Sequence, residues 1–364
     1  MTAADTLARL AGSLRVRPAQ RPALIGGRPP LAARLLRGQP AQAAVQRLPL
    51  LYSLCGQAHR LTAELAVRAA LDGHATADSD AHLALHAENR REHLRHILLD
   101  WPRLLDRPQA ATPMSPPGLD MNIDAWFEGS ARDWLQHWQA DPRQALQDWS
   151  GRGRHALARL LHACQARADA LHMPVRALPG DPSSLQAIAH SLGRQTDFNG
   201  QPELAGEPCE TGAWTRTHNP CPQRLDSAWL RLGARLADLV ELSQAQPRPL
   251  ALGALALGDA QALAWSETAR GLLLHRVQLE NTADGPRICD YQVLAPTEWN
   301  LHPRGALARA LEALPDDDTA MHQAELLLAV FDPCLAYQLE SRVPYPIDSP
   351  LDHPANASGA PCHA

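Results

Sequence analysis

The chain reads as a mainly α-helical protein with small β elements. Three observations predict this. Several long segments repeat apolar residues at helical spacing, the apolar and partly β-branched runs are few and short, and Gly and Pro punctuate the intervals between them. With 364 residues the sequence is long enough to bury a full core. Residues 1–340 are expected to form one domain, and 341–364, with little to bury, a disordered tail.

Each element has its own signal. Residues 14–30 alternate in part and carry Gly26-Gly27, which predicts a short hairpin at a sheet edge. Residues 31–36 open a helical pattern that Gly38 and Pro40 stop. From 55 to 71 a helix is predicted, with Ala58, Leu61, Leu65 and Ala69 on one face and Gly73 at the capping position. A second helix is predicted over 82–99, ended by Pro102, and Pro113, Pro116, Pro117 and Gly118 mark 108–120 as a loop. Trp126, Trp134, Trp138 and Trp149 fall in a region of helical character, and 156–171 predicts a further helix. Residues 180–222 read as a polar connection and 227–242 as helix. The runs 272–279 and 287–294 predict a β-hairpin, and 306–314 and 321–329 the last two helices.

Composition excludes several function classes. Formal net charge is −5 and no basic block occurs, which argues against a surface built for nucleic acid. The 34 residues counted as Lys+Arg are all arginine, so P-loop, Schiff-base and kinase-type lysine chemistry is excluded. No run approaches the ~20 apolar residues that span a bilayer. Residues 1–15 contain Asp5 and Arg9 and no apolar stretch of signal-peptide length. Cysteines stand at 55, 164, 209, 221, 289, 334 and 362 without a C-x-x-C pair, which suits reduced thiols. A soluble, cytoplasmic protein without nucleic-acid or membrane partners is expected.

Two short stretches carry chemistry: Leu54-Cys55-Gly56-Gln57-Ala58-His59 and Asp332-Pro333-Cys334-Leu335-Ala336-Tyr337-Gln338-Leu339-Glu340. At a helix start, Cys55 would be acidified by the helix dipole and by a metal. Taken alone, a lone cysteine is more often a buried structural residue, and His59 one turn on is equally a core histidine. Pro333 stiffens the approach to Cys334. By themselves Arg270 reads as a surface ion pair and Thr297 as a turn hydroxyl. Cys209, His218 and Cys221 match no standard zinc spacing.

In order along the chain, these stretches resemble the two metal-binding signatures of the nickel-iron hydrogenase large-subunit family, C-x-x-C-x-x-x-H and D-P-C-x-x-C-x-x-H. Tyr52 stands where the first cysteine belongs, and Tyr337 and Glu340 replace the later cysteine and the histidine. Between the signatures, Gly38-Gln39, Leu48-Pro49-Leu50 and the segment with Glu88 and His93 are similar to the family's sequence. So are Glu210, Gly212 and Arg216 (E-x-G-x-x-x-R), Arg270-Gly271 with His275 (P-R-G-x-x-x-H, Ala269 replacing the proline), and Pro296-Thr297 with Asn300 (V-P-[ST]-x-x-N). The ordered set spans most of residues 10–340.

The resemblance implies a large-subunit-like fold, Cys55 and Cys334 as metal ligands, and Arg270, Thr297 and His59 as cofactor-binding residues. Arg270 and Thr297 would donate to cyanide ligands on iron, and a metal-bound cyanide is an anionic acceptor that a guanidinium and a hydroxyl orient well. The departures imply a non-catalytic member: two thiolates are lost, and Ala33 stands at the position of an acidic proton-transfer residue. That pattern is similar to hydrogenase expression/formation (maturation) proteins of the HupK/HoxV type, a divergent branch of the family. The implied function is a scaffold or chaperone, not an enzyme, that transiently holds the Fe(CN)2CO precursor group, with nickel not expected. Implied partners are a maturation chaperone with its iron-sulfur assembly protein as donor and the hydrogenase large subunit as acceptor. The alternative is a catalytic hydrogenase-like large subunit binding a nickel-iron centre.

Overall fold

Helix Ala228–Leu242 is buried on every side, Glu241 being the one residue of it that is not. A helix enclosed all round marks the middle of a core. The structure, a computed structural model, describes residues 12–105, 122–127, 129–195 and 197–340. Ser227 caps this helix by accepting the N–H of Leu230. Its buried charges are all paired: Arg231 with Glu210, Arg235 with Asp332, and Asp238 with Arg216 and His93. Leaving any of them unpaired would be strongly destabilising, so these pairs fix how the surrounding segments attach to the core.

Two small sheets complete the mainly helical architecture that the sequence predicts. Strand β1 (Ser13–Val16) pairs antiparallel with β2 (Leu24–Gly27). The four-stranded sheet runs β3 (Leu252–Gly258), β4 (Gln261–Thr268), β5 (Gly271–Thr282) and β6 (Gly285–Leu294), each antiparallel to the next. The last strand of the chain, β7 (Ala336–Leu339), joins β1 in parallel. Cys334, just ahead of β7, is thereby brought beside Arg28, just after β2. Helix Gly56–Asp72 packs on the larger sheet, where Ala63, Ala66 and Ala70 share a core with Ala262, Ala264 and Val277. Small side chains on both faces let helix and sheet approach closely, and Gly73, at φ 77°, ends the helix.

Several elements differ from expectation for identifiable reasons. Gly26-Gly27 lies within and at the end of β2 rather than in the turn, and β1 is a central strand because β7 covers its other side. Helix Ala43–Leu51, which contains Pro49, was not expected. Pro102 does not end the helix Ser79–Arg95. A wide π-turn at His96–Asp100, with the Trp101 N–H donating to the His96 carbonyl, absorbs the proline, and the chain stays helical through Leu105. Within the expected polar connection 180–222 lies helix Pro182–Arg194, capped by Asp181, with Leu185, Ile188, Ala189 and Leu192 on its buried face. The expected hairpin is β5–β6, extended by β3 and β4. Those two are joined by Asp259-Ala260, both at positive φ, which suits a tight hairpin turn. The expected loop 108–120 and the expected tail 341–364 lie outside the described residues.

Candidate metal-group site

Cys55 ends a short 3-10 turn, Ser53–Cys55, and is the cap residue of helix Gly56–Asp72. The first free N–H groups of that helix, on Gln57 and Ala58, donate to the Glu88 carboxylate at 2.8 and 2.9 Å. This corrects the expectation that the helix dipole acidifies Cys55. Glu88 occupies the positive end of the helix, and burial, reinforced by Cys334 and opposed by Arg270, raises the Cys55 thiol well above its ordinary range. Without a metal Cys55 is a neutral thiol.

Cys334 is presented by a sharp exit from helix Ala320–Phe331. Asp332, at φ 45° and ψ 62°, turns the chain left-handed, and Pro333 follows. The Cys334 sulfur lies 2.8 Å from the Thr297 hydroxyl and accepts from Arg28 Nη2 at 3.1 Å. Arg28 Nη2 also donates to the Cys334 carbonyl at 2.7 Å. Arg270 is set by Gly271, whose φ of +125° suits glycine and whose missing Cβ would fall 2.4 Å from Thr211 Oγ1. Its Nε donates to the Asp332 carbonyl at 3.1 Å, and it pairs with Asp332 at 3.2 Å and Glu92 at 3.4 Å.

One cavity of about 410 Å³ is lined by Cys55, Cys334, Arg270, Arg28, Tyr52 and Tyr337, among others. Both tyrosines that stand at the positions of absent signature cysteines therefore face the same space as the two cysteines that remain. Thr297 is not among the lining residues and meets the site through the Cys334 sulfur. His59 lies one layer behind: its ring stacks on Tyr52 at 4.1 Å, and its Nδ1 is 3.0 Å from His275 Nε2, which continues to Tyr291. Burial, then His275, holds His59 neutral, and among the described residues its Nε2 has no hydrogen-bond partner.

Charge is balanced tightly along one wall. Burial alone would raise the Asp332 carboxyl, but Arg270, His96, Arg235 and Arg95 outweigh it and hold it well below the usual carboxylate range. His96, Asp100 and Asp332 bring ligand atoms within 4.8 Å of one another. Arg95 lies 2.7 Å from Asp100, and Arg235 3.2 Å from Asp332, so the carboxylates are already neutralised and the group is an ion-pair network. Among the described residues Cys209, His218 and Cys221 form no converging ligand group.

Sequence reasoning missed Arg28, which no motif marks, and did not assign roles to Glu92 or Asp332. The Asp-Pro string did carry Asp332, and Glu92 falls four residues after the quoted Glu88, on the same face of its helix.

The chain is 40% identical over 369 residues to the hydrogenase expression/formation protein HoxV of Cupriavidus necator, with 91% of this chain and 96% of that protein covered. It is 31% identical to the hydrogenase expression/formation protein HupK of Azotobacter vinelandii, covering 85% of this chain and 91% of that one. No family model matches. Among solved structures, the [NiFeSe]-hydrogenase of Dm. baculatum superposes with a TM-score of 0.54 at 16% identity, over 85% of this chain and 92% of that chain. The chain belongs to the hydrogenase expression/formation proteins, with a role in making hydrogenase and the fold of a nickel-iron hydrogenase large subunit.

Proposed function

We propose that the protein is a non-catalytic scaffold that takes up the Fe(CN)2CO group as cargo, holds it between Cys55 and Cys334, and yields it to the hydrogenase large subunit. One observation carries this reading: the two remaining signature cysteines and Arg270 line a single cavity whose other two signature positions are filled by tyrosines. The donor set fits the group. Two sulfurs are soft ligands for low-spin iron, whose CO and cyanide ligands fill three further positions. The long 3.4 Å contacts of Arg270 to Glu92 leave guanidinium N–H groups for an anionic cyanide nitrogen. Thr297 would act through Cys334, fixing the position of its sulfur by the 2.8 Å contact to the hydroxyl. Phenol oxygens are hard donors and poor substitutes for bridging thiolates, so nickel is not expected to bind.

Binding the iron group requires Cys55 to lose its proton, and reprotonation favours release. The donor would be a small maturation chaperone with its iron-sulfur partner. The test is protein purified without oxygen from cells that contain the maturation machinery. About one iron per chain with infrared bands of CO and cyanide is expected. Stoichiometric nickel with hydrogen uptake by the isolated chain would overturn the reading in favour of a catalytic subunit.

A further inference from the structure

Arg28 is used by neither signature, yet it touches both. One nitrogen, Nη2, reaches the Cys334 sulfur at 3.1 Å and the Cys334 carbonyl at 2.7 Å. The guanidinium carbon lies 5.1 Å from the centroid of the Tyr52 ring. Tyr52 is the residue at the position of the absent first-signature cysteine. Arg28 thus reaches from the sulfur that the second signature keeps to the side chain that replaces a sulfur the first has lost. The same pair, Arg28 and Tyr52, also borders a neighbouring cavity of about 830 Å³ and so forms part of the wall between the two.

We propose that Arg28 takes the place of a second metal cation: it sets a permanent positive charge against the Cys334 sulfur and keeps a divalent ion from binding there on the Tyr52 side. This rests on Cys55 and Cys334 being the ligands of one metal centre. A guanidinium is a permanent cation with five N–H donors and no acceptor, so it satisfies a thiolate but cannot itself ligate a metal. A divalent ion approaching Cys334 from the Tyr52 side must displace Arg28 or sit beside its charge. Stacking on Tyr52 and the bond to the Cys334 carbonyl hold the guanidinium in that path. Loss of two sulfurs and placement of an arginine then act together to limit the site to one metal centre.

Cobalt(II) titrated into metal-free protein tests this, read by thiolate-to-cobalt charge-transfer absorption and by equilibrium dialysis. Arg28→Gln is expected to bind Co²⁺ at least about tenfold more tightly than wild type. Arg28→Lys, which keeps the positive charge, should stay close to wild type. Adding Cys334→Ser to Arg28→Gln should abolish the gain. Arg28→Met, similar in length and without charge, repeats the test if the glutamine variant does not fold. Equal cobalt affinity in wild type and the neutral variants, or an equal gain with lysine, overturns the proposal. Iron loading is scored separately by infrared bands. A wild type that never takes up the iron group, beside an Arg28→Gln protein that gains cobalt, defeats the carrier reading and leaves this one standing.

Discussion

Replacing Asp332 by asparagine removes one negative charge from the cavity wall while keeping the shape. Asparagine also tolerates the left-handed backbone at this position, φ 45° and ψ 62°, so strain is not introduced. In the native arrangement the carboxylate lies 3.2 Å from Arg235, 3.2 Å from Arg270 and 3.4 Å from His96. Arg270 retains Glu92 at 3.4 Å after the change. Arg235 does not have such a reserve, because the nearby Asp238 is already engaged by Arg216 and His93. Breaking a buried ion pair by removing one partner costs about 3–5 kcal/mol, and the Glu92 reserve argues for the lower end. With an unfolding entropy of about 2.1 cal/mol/K per residue, a chain of 364 residues shifts by about 1.3 °C per kcal/mol, so the melting temperature should fall by about 4 °C. Circular dichroism or calorimetry near neutral pH measures it, with Arg21→Gln, from the exposed Arg21–Glu312 pair, as a control expected to change little. An Asp332→Asn protein that melts together with the wild type refutes the view that Asp332 anchors this wall.

Three other outcomes follow from the same geometry. Gly271→Ala should cost about 1–3 kcal/mol in urea unfolding, since an L-residue is strained at φ +125° and its Cβ would meet Thr211. Arg270→Leu should keep the fold, because Arg235 and Arg95 still balance Asp332, while infrared bands of the iron group weaken through loss of about 1–3 kcal/mol of hydrogen bonding. Bands of full intensity would remove Arg270 from the site. Burial lowers His275 to about 3 and, against the pull of Asp238, His93 to about 4, both from an ordinary 6.5. These folded values lie below the unfolded ones, so stability is fully present above pH 6.5 and is lost on acidification toward the folded values. Each histidine contributes about 1.4 kcal/mol per pH unit in that window, read from denaturant midpoints. A midpoint unchanged between neutral and mildly acid pH would show that these histidines are not buried neutral.

Much of the fold was legible because its signals are local. The stripe Ala58, Leu61, Leu65 with Gly73 at the end, and the Ser227 cap before a long apolar run, are complete within a few turns of chain. Strands β3 and β4 were less legible because β3 is more than half Ala and Gly, which have little β preference, β4 mixes Ala262 and Ala264 with polar residues, and their pairing depends on β5. Helix Pro182–Arg194 had a cap, a proline at its first turn and an apolar stripe, but the Pro- and Gly-rich residues after it diluted the signal. The joining of β7 to β1 is a contact across more than three hundred residues, and no local pattern encodes it. The site divides the same way. Cys55, Cys334 and Arg270 were marked by motif, whereas Arg28 reaches Cys334 only because the β2-β1-β7 sheet closes. The raised Cys55 thiol could not be read from its position at a helix start, since it depends on burial, on Cys334 and on Glu88, which occupies the helix end from a different helix.

In the carrier proposed above, Cys55 and Cys334 together hold one iron group. The direct measurement is infrared spectroscopy with metal analysis on oxygen-free wild type, Cys55→Ser, Cys334→Ser and Cys289→Ser, all made with the maturation machinery present. Cys289, in β6, does not line the cavity. Wild type and Cys289→Ser should carry CO and cyanide bands with iron and no nickel, and each of the other two variants should lose the bands and fail to pass iron to the large subunit. Bands that persist at full intensity without Cys55 and without Cys334, or nickel in step with protein, would contradict the account.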